Sequence, residues 1–357
     1  MTSEGPQRPP AVVRVADLVA RGLIAPEAAP AIERVTQDFS LRITADMAAA
    51  IDPADPADPI ARQFVPGTAE LDIAPEEVAD PIGDGVHEIA PGLIRRYPDR
   101  ALLKPTHLCQ VYCRFCFRRE TVGGDPGLGD AELAAALDRI RAEPGLFEVI
   151  LSGGDPLVLS DRRIGRILEA LDAIEHVGVI RFHTRVPVVD PARITPAFLD
   201  LLDLRAAVWF VLHVNHASEL TENARKSIRA LTRAGVPLLA QTVLLKGIND
   251  DAAVLEDLFR SLVALRVKPY YLHHLDRARG TGHFRTSLAE GRSLMRTLRG
   301  RLTGIAQPTY MLDIPGGYGK VPVGPDYVAS AGPGLYRVTD PQGATHDYRD
   351  GSDGGPD

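Results

Sequence analysis

The stretch Ala101-Leu-Leu-Lys-Pro-Thr-His-Leu-Cys109-Gln-Val-Tyr-Cys113-Arg-Phe-Cys116 opens as a short apolar run of strand length and continues into a loop that holds all three cysteines of the chain. Three thiols separated by three and then two residues have metal-ligand spacing, and an odd number within one short loop does not read as a disulfide framework. Thiolates suit a soft metal centre. A loop of this length can wrap a cubic iron–sulfur cluster, leaving one iron without a protein ligand. A zinc site with His107 as fourth ligand is the alternative.

Downstream of this loop, runs rich in β-branched and aromatic residues alternate with amphipathic segments of helical length. With Ala101–Lys104 as the first, the candidate strands are Glu148–Leu151, Val179–His183, Val208–His213, Leu238–Leu244, Pro269–His273 and Thr309–Asp313. From the second to the sixth, their starts recur about every thirty residues, the size of one βα unit. The pattern predicts an α/β fold built on a parallel sheet, open or rolled toward a barrel. Polar residues gather where the runs end: Ser152-Gly-Gly-Asp155, His183-Thr-Arg185, His213-Val-Asn-His216, Gln241, His273-His-Leu-Asp276 and Asp313. Loops that follow parallel strands converge over one face, so one mouth is expected to hold these groups.

Upstream, residues 1–95 read as an N-terminal helical extension that includes the turn-rich Asp52-Pro-Ala-Asp-Pro-Ala-Asp-Pro59. Residues 96–327 form the expected barrel with its lysine-bearing loop, and 328–357 a C-terminal tail, partly disordered. The Pro-rich first dozen residues and the polar last dozen are expected to fray. A formal net charge of −7 offers no broad cationic surface for nucleic acid. The most apolar stretch, around Phe198 to Leu212, is broken by Asp200, Asp203 and Arg205, so no membrane span is expected. Met1-Thr-Ser-Glu-Gly-Pro lacks the basic and apolar regions of a secretory signal, which points to a cytoplasmic protein.

A second constellation is Asp313-Ile-Pro-Gly-Gly-Tyr-Gly-Lys320-Val-Pro322. It fails as a phosphate loop, because Ile314 stands where that motif needs its first glycine and Val321 where it needs Ser or Thr. A lysine on a loop with little side-chain bulk can instead form a Schiff base with an aldehyde cofactor.

The cysteine loop after a first strand resembles the radical S-adenosylmethionine superfamily, and its pairing with Pro-Gly-Gly-x-Gly-Lys320 resembles the lysine 2,3-aminomutase family. The resemblance runs from roughly Asp52 to Tyr327 and includes Pro91-Gly-Leu-Ile-Arg-Arg-Tyr-Pro-Asp-Arg100, Val243-Leu-Leu-Lys-Gly-Ile-Asn249 and Gly282-His-Phe-Arg-Thr286. It implies a partial (β/α)6 barrel of radical SAM type and an isomerase that converts L-lysine to β-lysine by moving nitrogen from C2 to C3. The implied cofactors are a [4Fe-4S] cluster on Cys109, Cys113 and Cys116, S-adenosyl-L-methionine and pyridoxal 5'-phosphate. By the same resemblance, Lys320 would hold pyridoxal phosphate, and Arg96, Tyr97 and Arg100 would lie against it. Ser152, Gly153, Gly154 and Asp155 would contact the methionyl amino group, with His213 and Gln241 also near S-adenosylmethionine. Arg118 would clamp the substrate carboxylate, and Asp276 and Asp313 would receive the distal ammonium of lysine.

The resemblance also implies an electron donor such as flavodoxin or ferredoxin. It leaves a homo-oligomer open, because the zinc clasp of the family's longer members is missing: no cysteine follows Tyr327, and Asp251 stands where a partner-facing cysteine would fall. The nearest alternative is the aminomutase-like enzyme that modifies lysine for elongation factor P, which shares the shorter build and a Tyr271-Leu-His273-like strand. The Asp313 to Lys320 loop and Gly324-Pro-Asp-Tyr327 favour the free-lysine enzyme. A 2,3-aminomutase for another amino acid, glutamate for example, would set an acidic side chain against Asp276 and Asp313. A non-catalytic metal-binding or scaffold protein that kept the fold is the reading from another class, and the intact cysteine and lysine loops argue against it.

Overall fold

In the computed structural model, which describes residues 10–350, ten strands form one sheet in chain order. A hairpin of β1 (Glu88–Ala90) and β2 (Leu93–Ile94) lies antiparallel on the edge of β3 (Arg100–Thr106). β4 (Glu148–Gly153), β5 (Val179–Thr184), β6 (Ala207–His213), β7 (Leu238–Val243), β8 (Val267–His273) and β9 (Thr309–Asp313) then follow β3 in parallel succession. β10 (Lys320–Pro322) returns antiparallel to β9. One cavity is lined from β3 through to β10, so the sheet curls; its order starts at β1 and stops at β10, so it does not close. This is the parallel sheet that the spacing of the apolar runs predicts, curled into the partial barrel that the family resemblance implies.

The N-terminal extension carries four short helices, α1 (Val15–Ala20), α2 (Ala29–Asp38), α3 (Ala45–Ala50) and α4 (Pro59–Phe64), joined by irregular segments. The barrel crossovers are α5 (Asp130–Arg141), α6 (Asp161–Asp172), the short pair α7 (Val186–Val189) and α8 (Pro196–Asp200), α9 (Glu222–Arg233), α10 (Ala252–Ala264) and α11 (Leu288–Arg299). α6 shows why such segments form: the Ser160 hydroxyl accepts from the Arg163 amide at 3.3 Å to cap it. Ile164, Ile167, Leu168 and Leu171 then fall on one buried face, each contributing roughly 1.5–3 kcal/mol by leaving water. β5 shows the complementary logic of a strand. Ile180 and Phe182 are buried in the core, while Arg181 and His183, of the alternate set, line the cavity.

Three features depart from the sequence reading. Residues 88–94 of the extension join the sheet as β1 and β2 instead of staying helical. The expected fraying of residues 1–9 and 351–357 lies outside the described residues, but Val12 is fully buried and exchanges backbone hydrogen bonds of 2.9 Å with Ile43. Residues 328–349, within the tail expected to be partly disordered, form a three-stranded antiparallel sheet, β11 (Val328–Gly332), β12 (Leu335–Thr339) and β13 (Thr345–Arg349). Its turns are Gly332-Pro-Gly334 and Asp340-Pro-Gln-Gly343, where the Asp340 carboxylate accepts from the Gln342 and Ala344 amides at 2.9 Å. Asp251 caps α10 by accepting from the Ala253 and Val254 amides at 2.8 and 3.2 Å.

Candidate active site

A cavity of about 580 Å³ runs from the carboxyl ends of the strands down into the barrel, within the size range of small-molecule sites. It is lined by Cys109, Cys113, Cys116, Arg118, Ser152, Gly153, Gly154, Asp155, His213, Gln241, Asp276, Asp313 and Lys320, and by Arg96, Tyr97 and Arg100. Strand ends and loops therefore bring to one place every residue to which the family resemblance gives a cluster, cofactor or substrate role, while His107, His216 and His274 lie outside the lining.

The cysteine loop leaves β3 and is braced from behind by the extension. Glu70, 1% exposed, accepts from Arg114 Nε at 3.0 Å and Nη2 at 2.6 Å, and also pairs with Arg119. Burial alone would push the Glu70 carboxyl up, but the two guanidiniums outweigh it and hold it below its ordinary value. Burial raises the Cys109 thiol well above its usual range and takes Cys116 to about 11, so loading these ligands with metal displaces protons. Among the described residues, no three His, Cys, Asp or Glu side chains stand close enough to hold a single metal ion. A mononuclear zinc needs its ligands about 2.0–2.3 Å from one centre. His107, the fourth ligand of the zinc alternative, does not line the cavity. Three soft thiols on one loop, with a cavity beside them, fit a cluster with one open iron.

The glycine pair after β4 has a packing reason. A Cβ on Gly154 would stand 2.3 Å from the Leu108 carbonyl oxygen, so this turn lets the chain press against the start of the cysteine loop. Asp155, expected beside a ligand amino group, lines the cavity but is mostly buried. Its carboxylate accepts from the Leu157 amide at 3.0 Å, from Thr184 Oγ1 at 2.7 and 2.9 Å and from the Arg185 amide at 2.7 Å. It ties β4 to β5 beneath the loop. Ser152 Oγ faces Arg118 at 3.4 Å.

Lys320 and Asp313 are direct partners in the β9–β10 register and form an ion pair. Tyr97 anchors this loop by accepting from the Lys320 amide at 3.0 Å. Gly319, at φ +97°, would set a Cβ 3.1 Å from the same hydroxyl. Arg96 lies 3.5 Å from both Asp84 and Asp313, and Arg100, at the start of β3, stacks over the Tyr97 ring and pairs with Asp99. Arg118 donates to Asp84 at 2.7 Å. Asp276 makes no hydrogen bond or ion pair among the described residues, and burial followed by the charge of Asp313 raises its carboxyl to about 7. His213 is held neutral, at about 3, by burial and then by Arg185.

Sequence reading missed several lining groups. Asp84, which orients Arg118 and Arg96, sits in an irregular segment of the extension where no periodicity marks it. Tyr270 and Tyr271 both face the cavity, with rings stacked at 3.7 Å and hydroxyls 2.7 Å apart, although neighbours on a strand normally point to opposite faces. The cause is a bulge: Ala240 pairs with Pro269 but Gln241 with Tyr271, which leaves Tyr270 extra. His183 and His273, which the sequence did place at the mouth, line the site too; burial keeps both neutral, and the Nε2 atom of His183 is buried with no partner among the described residues.

The curled parallel sheet, the three-cysteine loop and the cavity beside it define a radical S-adenosylmethionine enzyme. The profile of the radical SAM superfamily matches residues 103–258, and a second, described as lysine-2,3-aminomutase, matches residues 295–350. The chain is similar to an L-lysine 2,3-aminomutase of Clostridium subterminale, 40% identical over 300 residues that cover 84% of this chain and 72% of that protein. It is also similar to a glutamate 2,3-aminomutase of Clostridioides difficile, 38% identical over 302 residues that cover 84% and 71%. Among solved structures, a radical SAM methyltransferase from Sphaerobacter thermophilus is 23% identical over 62% of this chain and 68% of that one, with a TM-score of 0.46. The chain belongs to the lysine 2,3-aminomutase family, whose members work with a [4Fe-4S] cluster, S-adenosylmethionine and pyridoxal phosphate.

Proposed function

We propose that this chain is an L-lysine 2,3-aminomutase that releases β-lysine. The observation that carries the choice of substrate is the carboxylate pair: Asp276, without a partner, stands with Asp313 in the cavity that also holds the cysteine loop and Lys320. Two carboxylates in a partly dry site attract the distal ammonium of lysine. They repel the acid of glutamate, because a mismatched substrate would leave buried charge unpaired. When bound, the cluster with S-adenosylmethionine supplies the one-electron chemistry, and pyridoxal phosphate supplies the carbonyl that takes up the substrate nitrogen.

The protein's own residues position and shield. Lys320 would hold pyridoxal phosphate, and an Nζ committed there would leave Asp313, its ion-pair partner here, to the lysine ammonium. Arg118, fixed through its Nε by Asp84 and reaching Ser152 Oγ through Nη1, keeps Nη2 for the substrate carboxylate. With both ends of lysine held, C2 and C3 are fixed relative to the cluster side of the cavity. A low-potential donor such as flavodoxin or ferredoxin would deliver the electron, and a cytoplasmic setting would keep the three thiols reduced. Among the described residues, no helix is long and apolar enough to cross a membrane. The test is substrate competition under anaerobic turnover: lysine is expected to be used and glutamate ignored. Glutamate turnover at a comparable rate would overturn the assignment.

A further inference from the structure

The cysteine loop has a cationic neighbour that no role above accounts for. Arg185, at the end of β5, is 5% exposed, and its Nη1 donates to Cys113 Sγ at 2.9 Å. The guanidinium is held from the other side: Nη2 donates to Glu219 Oε2 at 2.6 Å and to the Gln63 side-chain carbonyl. Glu219 and Gln63 are both fully buried, and Glu219 also accepts from Gln63 Nε2 and from the Asn215 and His216 amides. The Arg185 amide is fixed by Asp155, and the rings of Phe64 and Phe115 lie 4.5 and 5.6 Å from the guanidinium carbon. With Nη2 occupied and the backbone clamped, the Nη1 donor is aimed at the sulfur.

A salt bridge built only for stability has no reason to present a donor to a thiol. Hydrogen bonds to ligand sulfurs and nearby fixed charge are levers on cluster potential, because reduction adds one negative charge beside them. We infer that Arg185 is a positioning residue of the iron–sulfur centre, which donates to the Cys113 sulfur and raises the potential at which the cluster accepts an electron. The electron comes from a low-potential one-electron donor, oxidised by one electron as the cluster is reduced by one. Glu219, the counter-charge, holds the guanidinium in place and limits the size of the effect. This rests on Cys109, Cys113 and Cys116 being the cluster ligands.

The test is a dye-mediated redox titration, followed by electron paramagnetic resonance, of full-length protein reconstituted anaerobically with iron and sulfide, without S-adenosylmethionine. Arg185→Gln is expected to keep wild-type iron content and to lower the one-electron reduction equilibrium about tenfold, a fall of 59 mV in midpoint. Glu219→Gln, which leaves Arg185 on Cys113 without its counter-charge, is expected to move the midpoint up. Arg185→Lys should fall between wild type and Arg185→Gln. A full cluster with an unmoved midpoint in Arg185→Gln overturns the inference, as does movement of both variants in the same direction. If Arg185→Gln loses its iron, Glu219→Gln decides: a raised midpoint supports the inference, and an unmoved or lowered one overturns it. A wild-type chain with no reducible cluster signal would instead overturn the ligand assignment, and this inference with it.

Discussion

Replacing Asp313 by Asn removes one charge from the pair assigned to the lysine ammonium and leaves the shape of the side chain. The Asp313 side chain is 4% exposed and interacts with Lys320 and Arg96, so its charge is poorly screened. Truncating one partner of a buried charge pair costs about 2–5 kcal/mol. Asp276 remains to hold the ammonium, which places this case near the lower end, about 2–3 kcal/mol, or roughly a 30- to 150-fold fall in kcat/KM for lysine. A second readout is pH. Asp276 captures an ammonium only when ionised, and with its carboxyl raised to about 7, lysine capture in the wild type should improve as pH rises through that value. Asp313→Asn removes the second cause of the rise and should shift the limb to lower pH. The assay is steady-state turnover of labelled lysine from pH 6 to 9, alongside iron analysis, which should be unchanged. An Asp313→Asn enzyme with wild-type kcat/KM and an unmoved limb would refute the carboxylate-pair reasoning.

Other perturbations separate the parts of the site. Lys320→Ala should abolish both lysine turnover and the imine absorbance of bound pyridoxal phosphate while leaving the cluster spectrum intact. Glu70→Gln leaves Arg114 and Arg119 buried without their shared counter-charge, and denaturant unfolding should report a loss of about 3–5 kcal/mol. The same variant should take up less iron, because those arginines hold the cysteine loop. Deleting residues 328–357 should lower the melting temperature by only a few degrees, since no residue of β11 to β13 is buried.

The strands were legible because each is a short run of apolar, β-branched or aromatic residues bounded by turn chemistry. Thr309–Asp313 has the predicted limits, and the other barrel strands differ by one or two residues at their ends. The site's members were legible from the cysteine spacing, the lysine loop and the polar residues at strand ends. Their connections were not. Arg118 with Asp84, Cys113 with Arg185, and Gln63 with Glu219 are side-chain contacts across 34, 72 and 156 residues of sequence, and no local period encodes them. That the Asp155 carboxylate also accepts from Thr184 and the Arg185 amide is a contact of this kind, across about thirty residues. The bulge at Tyr270 was hidden for a related reason: register belongs to a strand pair, not to one strand. The C-terminal sheet did carry signals, in Gly332-Pro-Gly334 and Asp340-Pro-Gln-Gly343, but its polar strands lack the apolar alternation that marks a packed face.

The most direct test is an anaerobic incubation of the reconstituted protein with S-adenosylmethionine, pyridoxal phosphate, dithionite and isotopically labelled L-lysine, followed by mass spectrometry and NMR of the recovered amino acid. The account predicts labelled β-lysine, formed without change of mass. Cleavage of S-adenosylmethionine with lysine recovered unchanged would contradict it, leaving the radical chemistry in place but assigning the carboxylate pair to a different substrate.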